Sequence, residues 1–236
     1  MNPMPALRRW ASPFAVVGVS VLLVALAVVI WNRPAEAATT GANVAQHEHG
    51  NVPGPRTPRQ VAFHDQMRKL WEDHITWTRL AIVTFADGSA GFNATAGRLL
   101  QNQTDIGNAI KPFYGDAAGT TLTDLLHEHI TIAVELLQAA KAGDTGAFNE
   151  ASARWYANAN AVADFLAAAN PRFWSRAELR AAMKTHLDQT LAEAAHELGG
   201  DYAASITDYE AIHLHILAMA DVLSSGIIRQ FPGRFR

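Results

Sequence analysis

Cysteine is absent from the 236 residues, which excludes disulfides, thiolate metal sites, cysteine nucleophiles and a lipid-modified cysteine. Beyond the first few residues no cluster of Lys or Arg occurs, and the formal charge is −3. Nucleic acid therefore finds no basic footprint here. No stretch alternates apolar and polar residues in the manner of a strand. A phosphate-cradling glycine loop, a nucleophile elbow and other hydrolase motifs are also missing.

Charge is absent once more near the N-terminus, and there the absence is informative. Arg8 and Arg9 precede an uncharged apolar run from about Phe14 to Trp31. Its length lies between a signal-peptide core and a membrane-spanning helix of roughly 20 residues. Ala35-Glu36-Ala37 then offers a small-x-small cleavage site. Residues 1–37 are thus expected to be a signal peptide or a retained signal anchor. Either way the basic flank stays in the cytoplasm and the rest is exported. Residues 38–58 are rich in Ala, Thr, Gly, Asn and Pro and read as a flexible linker. His47-Glu48-His49 lies within it.

From 59 to 232 nearly every segment repeats its apolar residues at the helical period of 3.6. Six helices are expected, over about 59–85, 94–110, 121–142, 147–169, 175–198 and 202–229. Pro112 closes the second, and Ser175 with Glu178 forms a capping box at the start of the fifth. The fold class is all-α: a bundle of about six helices, preceded by the N-terminal apolar helix, with residues 233–236 as a tail. A domain of this size buries an ample core without disulfides.

The chain partly repeats itself. A shift of 57 residues places Leu122 on Leu179, His129 on His186, Gly143-Asp144 on Gly200-Asp201, and Ala163-Asp164 on Ala220-Asp221. Each copy is helix, Gly-Asp turn, helix. A fainter third copy precedes them, with His74 at the histidine position and Asn102 opposite Asn158. The bundle is therefore expected to contain two or three repeated αα-hairpins.

His74, His129 and His186 sit on the apolar stripes of three separate helices. Imidazole is a poor occupant of such a stripe unless something partners it. Neutral imidazole is a good ligand for zinc, copper, iron and nickel, and helical bundles build metal sites from inward side chains of facing helices. Hairpins packed around one axis would bring the three rings together, whereas a solenoid would space them about 10 Å apart. His213 and His215 lie two residues apart, so only one of them faces inward. His213 shares a stripe with Ile216, Ala220, Leu223 and Ile227 and is the expected fourth ligand.

Other readings remain open. Glu210 and His213 have the Glu-x-x-His spacing of carboxylate-bridged di-iron bundles, but the second such pair, Asp124 and His127, lies off the stripe. The pairs that hemerythrin-like chemistry requires are absent. Two axial histidines from facing helices would suit a haem b. A single core histidine, however, is most often hydrogen-bonded to a carbonyl, a hydroxyl or a carboxylate. Thr78, Thr190, Asp164, Asp221 and Glu193 are candidates for such partners, and a non-catalytic sensor or scaffold with structural histidines would follow. The Trp residues read as core packing, and Tyr114 as a candidate for a pocket mouth.

The segments Leu70-Trp71-Glu72-Asp73-His74-Ile75-Thr76-Trp77-Thr78-Arg79, Asn102-Gln103-Thr104-Asp105, Lys111-Pro112-Phe113-Tyr114-Gly115-Asp116, Arg154-Trp155-Tyr156-Ala157-Asn158 and Ile227-Ile228-Arg229-Gln230-Phe231-Pro232 carry a resemblance. Over about 67–232 the chain resembles a family of poorly characterised bacterial all-helical proteins. Some members are named glycosyltransferase or acetylglutamate kinase. The first activity needs a nucleotide-binding α/β domain and the second needs glycine-rich turns after strands, and this sequence has neither.

The resulting expectation is an extracytoplasmic bundle, tethered to the membrane if the leader is uncleaved. It binds one transition-metal ion through His74, His129, His186 and His213, in metal handling or a redox role. Zinc or copper suits an all-nitrogen site, and iron would suit one that recruits a carboxylate such as Asp221.

Overall fold

A computed structural model describes residues 54–236. The leader with its apolar run, the 35–37 motif and His47-Glu48-His49 lie outside them. The described residues form α1 (Pro58–Ala86), α2 (Phe92–Tyr114), α3 (Asp116–Ala142), α4 (Thr145–Ala169), α5 (Arg176–Gly199) and α6 (Tyr202–Gln230), then a short 3-10 turn (Pro232–Phe235). No strand occurs among them.

Short connections force successive helices antiparallel, and each packs against the next. α6 also packs on α1, so the six close into a ring, with α5 touching α1. Up-and-down order makes α1, α3 and α5 parallel. The turns after these three helices share one pole of the bundle, and the start of α1 and the end of α6 share the other. α6 is long and apolar enough to cross a membrane, yet half of its most apolar window is buried within the bundle. It is accounted for as a core helix.

The Gly-Asp turns show why two residues suffice to reverse the chain. Gly143 and Gly200 adopt left-handed φ of 69° and 79°, a region open to glycine at little cost. The next amide then reaches back five residues, Asp144 N to Ala139 O at 3.0 Å and Asp201 N to His196 O at 2.9 Å. These are Schellman closures. Each aspartate at once caps the following helix, Asp144 accepting from Ala147 N and Asp201 from Ala204 N. Ser175 caps α5 as expected, accepting from Glu178 N.

Two boundaries differ from the sequence expectation. α2 does not stop at 110 but runs through Pro112 to Tyr114, and α3 begins at Asp116 instead of 121. A proline in the last turn removes a single helical donor, and tertiary packing outweighs that loss. Phe113 lies 5.0 Å from Phe63 and stacks on Phe235 at 5.4 Å. The Tyr114 hydroxyl donates to Gln230 at 2.6 Å, which places it in this aromatic cap and not at a pocket mouth. The expected tail is also held: Phe235 is buried, and its carbonyl accepts from Thr57 Oγ1 at 2.7 Å.

Close approach explains one glycine. A Cβ on Gly226 of α6 would lie 1.9 Å from Nε1 of the buried Trp174. Gly97 of α2 has nothing near the corresponding position. Gly226→Ala should therefore lower unfolding free energy by about 1–3 kcal/mol through overpacking. Gly97→Ala should raise it by about 0.5–1 kcal/mol through helix propensity. Urea denaturation of both variants checks the opposite signs.

Candidate functional site

Within the ring, α1, α3 and α5 present the same stripe at the same height. His74, Thr78 and Ile82 on α1, His129, Ala133 and Leu137 on α3, and His186, Thr190 and Ala194 on α5 line a single cavity of about 50 Å³. In each helix these are positions i, i+4 and i+8, one face of a helix. The rest of the wall is largely hydrocarbon, with the Trp155 ring from α4. The three histidines are 3%, 2% and 4% exposed. The His74 and His186 ring centres lie 5.6 Å apart.

His213 does not join them. Its Nε2 meets Glu72 Oε1 at 2.9 Å, its ring stacks on Tyr209, and it does not line the cavity. The expected fourth ligand is therefore not at the cavity, and His215 does not line it either. His215 is the one that turns toward α5, its Nε2–H donating to Ala182 O at 2.9 Å. Glu210 and Asp124 are exposed, so the di-iron spacing has no interior counterpart. Among the described residues, no group of three His, Asp or Glu is arranged to hold a metal ion as the side chains stand.

Each histidine has a polar neighbour on the following helix. Asn158 Oδ1 lies 2.9 Å from His129 Nδ1, while its Nδ2 donates to Leu125 O and Glu128 Oε2. That amide orientation makes Oδ1 the acceptor and His129 Nδ1 the donor. In neutral imidazole the proton is then on Nδ1, and Nε2 carries a free lone pair. Asn102 repeats the first half of the pattern, donating to Leu70 O at 3.0 Å. The neighbour of His74 Nδ1, however, is Gln103 Nε2 at 3.1 Å. Gln103 Nε2 also donates to Leu99 O and Asn102 Oδ1, and its Oε1 is buried without a partner. His186 Nδ1 is likewise buried without a partner. None of the three Nε2 atoms has a hydrogen bond among the described residues.

The partners suggested by sequence do other work. Thr78 and Thr190 donate to the backbone carbonyls of His74 and His186, not to the rings. Asp164 pairs with Arg180, Asp221 with Arg68 and His64, and Glu193 with Arg79. Gln103, Asn158 and His215 were missed as histidine neighbours. Their signal was positional: Gln103, Asn158 and His215 each follow one of the three histidines by 29 residues.

Burial keeps the rings neutral. Desolvation, then the His129 ring, lowers His74 to about 3 despite the Gln103 contact. Desolvation lowers His129 to about 4 against the Asn158 hydrogen bond. His186 falls well below its usual value through burial and then its histidine neighbours. On the same helix, burial raises Glu193 to about 7, outweighing the opposing Arg79 guanidinium. No known protein family, curated protein or solved structure matches the chain.

These shifts set a pH dependence. Unfolded histidine protonates below about 6.5, whereas His74 and His129 resist protonation to about 3 and 4 and His186 to well below its usual value, so unfolding takes up protons as pH falls below 6.5. Glu193 acts oppositely, because unfolding releases its proton between about 4.5 and 7. Near pH 5.5 the metal-free protein should take up about two protons on unfolding, three from histidine less one from Glu193. Stability should fall as pH drops through 6.5 toward 4.5. The urea midpoint followed against pH gives the slope, and His186→Asn should remove about one proton from it.

Proposed function

We propose that the bundle binds one transition-metal ion in its cavity through Nε2 of His74, His129 and His186. The observation that carries this reading is the convergence of three buried neutral imidazoles, from three helices, on one cavity with no hydrogen bond to any Nε2. Rings whose nitrogens bind a common ion at about 2.0 Å have centres roughly 5–6 Å apart at trigonal to tetrahedral angles. The 5.6 Å between His74 and His186 falls in that range. Asn158 orients His129 as second-shell groups orient metal-bound imidazole. To donate from Nε2, His74 needs its proton on Nδ1. The Gln103 amide must then turn its orphan Oε1 toward the ring.

The same contacts support reading the bundle as three copies of one hairpin. Asn102, Asn158 and His215 each donate to the carbonyl four residues before a cavity histidine, Leu70, Leu125 and Ala182. With the export signal expected in residues 1–37, the site would serve metal handling or a redox step on the extracytoplasmic side. Haem has less support, because a cavity of about 50 Å³ does not admit a porphyrin. A purely structural trio is the competing reading.

Purified full-length protein should carry or take up about one equivalent of zinc or copper by elemental analysis. His129→Ala should abolish stoichiometric metal while the helical circular dichroism persists, and His213→Ala should leave metal content unchanged. Asn158→Ala should weaken binding by about 10- to 100-fold. A wild-type protein that stays metal-free, with a melting temperature indifferent to added metal, would make the histidines structural.

A further inference from the structure

The chemistry of the cavity wall narrows the ion, on the condition that the metal reading above holds. Among the described residues no carboxylate lines the cavity, and the polar side chains there besides the histidines are Thr78, Thr190 and Trp155. Both threonine hydroxyls are committed as donors to backbone carbonyls. The carboxylates closest in the hydrogen-bond network are engaged elsewhere: Glu128 on Asn158 Nδ2, and Glu193 and Glu197 on Arg79. The described residues thus offer an ion up to three neutral nitrogens and no compensating negative charge in the cavity wall.

That matters because the cost of moving an ion into a low-dielectric interior grows as the square of its charge. A divalent ion bound by neutral imidazoles alone keeps both charges, in a wall that is mostly hydrocarbon. It would have to import hydroxide or another anion. A monovalent ion pays about a quarter of the Born cost and needs no such companion. Donor number points the same way. Hydrogen bonding fixes only His129 with a free Nε2 lone pair, and a filled-shell monovalent ion is satisfied by two or three nitrogen donors.

We infer that the resident ion is cuprous copper, held as a monovalent complex in preference to Zn(II), Cu(II) or Fe(II). Full-length protein is titrated without oxygen against a chromophoric Cu(I) chelator, and in the same buffer with Zn(II). One equivalent of Cu(I) should bind, with an affinity roughly 100-fold or more above that for Zn(II). Ag(I), a redox-inert monovalent probe, should raise the melting temperature where Zn(II) does not. His129→Ala and His186→Asn should each lose the Cu(I) response while His213→Ala keeps it. X-ray absorption of the loaded wild-type protein, which depends on no variant folding, should show nitrogen donors only. Zn(II) binding within about tenfold of Cu(I), or a chloride or sulfur neighbour on the copper, overturns the charge argument and leaves the metal reading standing. Binding of no ion at all overturns both.

Discussion

An imidazole withdrawn from water has two nitrogens to satisfy, and this bundle provides at most one partner for each of its three buried rings. Everything distinctive in the interior follows from that shortfall. Asn158 and Gln103 project from the neighbouring helices toward Nδ1, and a small cavity remains on the other side. The remaining core is built from Leu, Ile, Met, Val, Ala, Phe and Trp, of which only Trp carries a polar side-chain atom. The histidine layer interrupts that hydrocarbon, and the aliphatic clusters around Ala81 and Ile82 lie beyond it as separate patches. Burying three such groups while leaving nitrogens unsatisfied is costly.

The architecture makes the convergence unavoidable once the register is set. Antiparallel packing of successive helices, with two-residue Gly-Asp turns after α3 and α5, keeps α1, α3 and α5 parallel. A histidine at one position in each first helix then meets its counterparts at one height. The second helix of each pair contributes a side chain that donates to the carbonyl four residues before the histidine. This bond fixes both the height and the rotation of the two helices, so the ring geometry is inherited from the hairpin.

Much of this was legible in the sequence. The 3.6-residue stripes located all six helices, and the Gly-Asp pairs located two of the turns, because both signals are local. The end of α2 was misread because Pro112 argues locally for a stop, while the aromatic contacts of Phe113 and Tyr114 that carry the helix onward are distant in the chain. The assignment of His213 to the cavity failed for a related reason. Both stripes of α6 are apolar, and only the packing of α6 against both α1 and α5 decides which face meets the histidine helix. The cavity partners were hidden differently. Asn102 and Asn158 had been aligned, but an asparagine in a helix carries no signal of what it bonds. The arrangement of Gln103, next to Asn102, breaks the symmetry that would have exposed it.

The hydrogen bond between Thr57 and the carbonyl of Phe235 stitches the two ends of the bundle together at one pole, beneath the aromatic cap. A ring of hairpins closed in this way has no privileged starting point. A circularly permuted chain, joined across that pole and opened at a Gly-Asp turn of the other, would keep every helix in its place. The arrangement of the three rings around their shared cavity thus depends on how the helices pack and not on where in the ring the chain enters it.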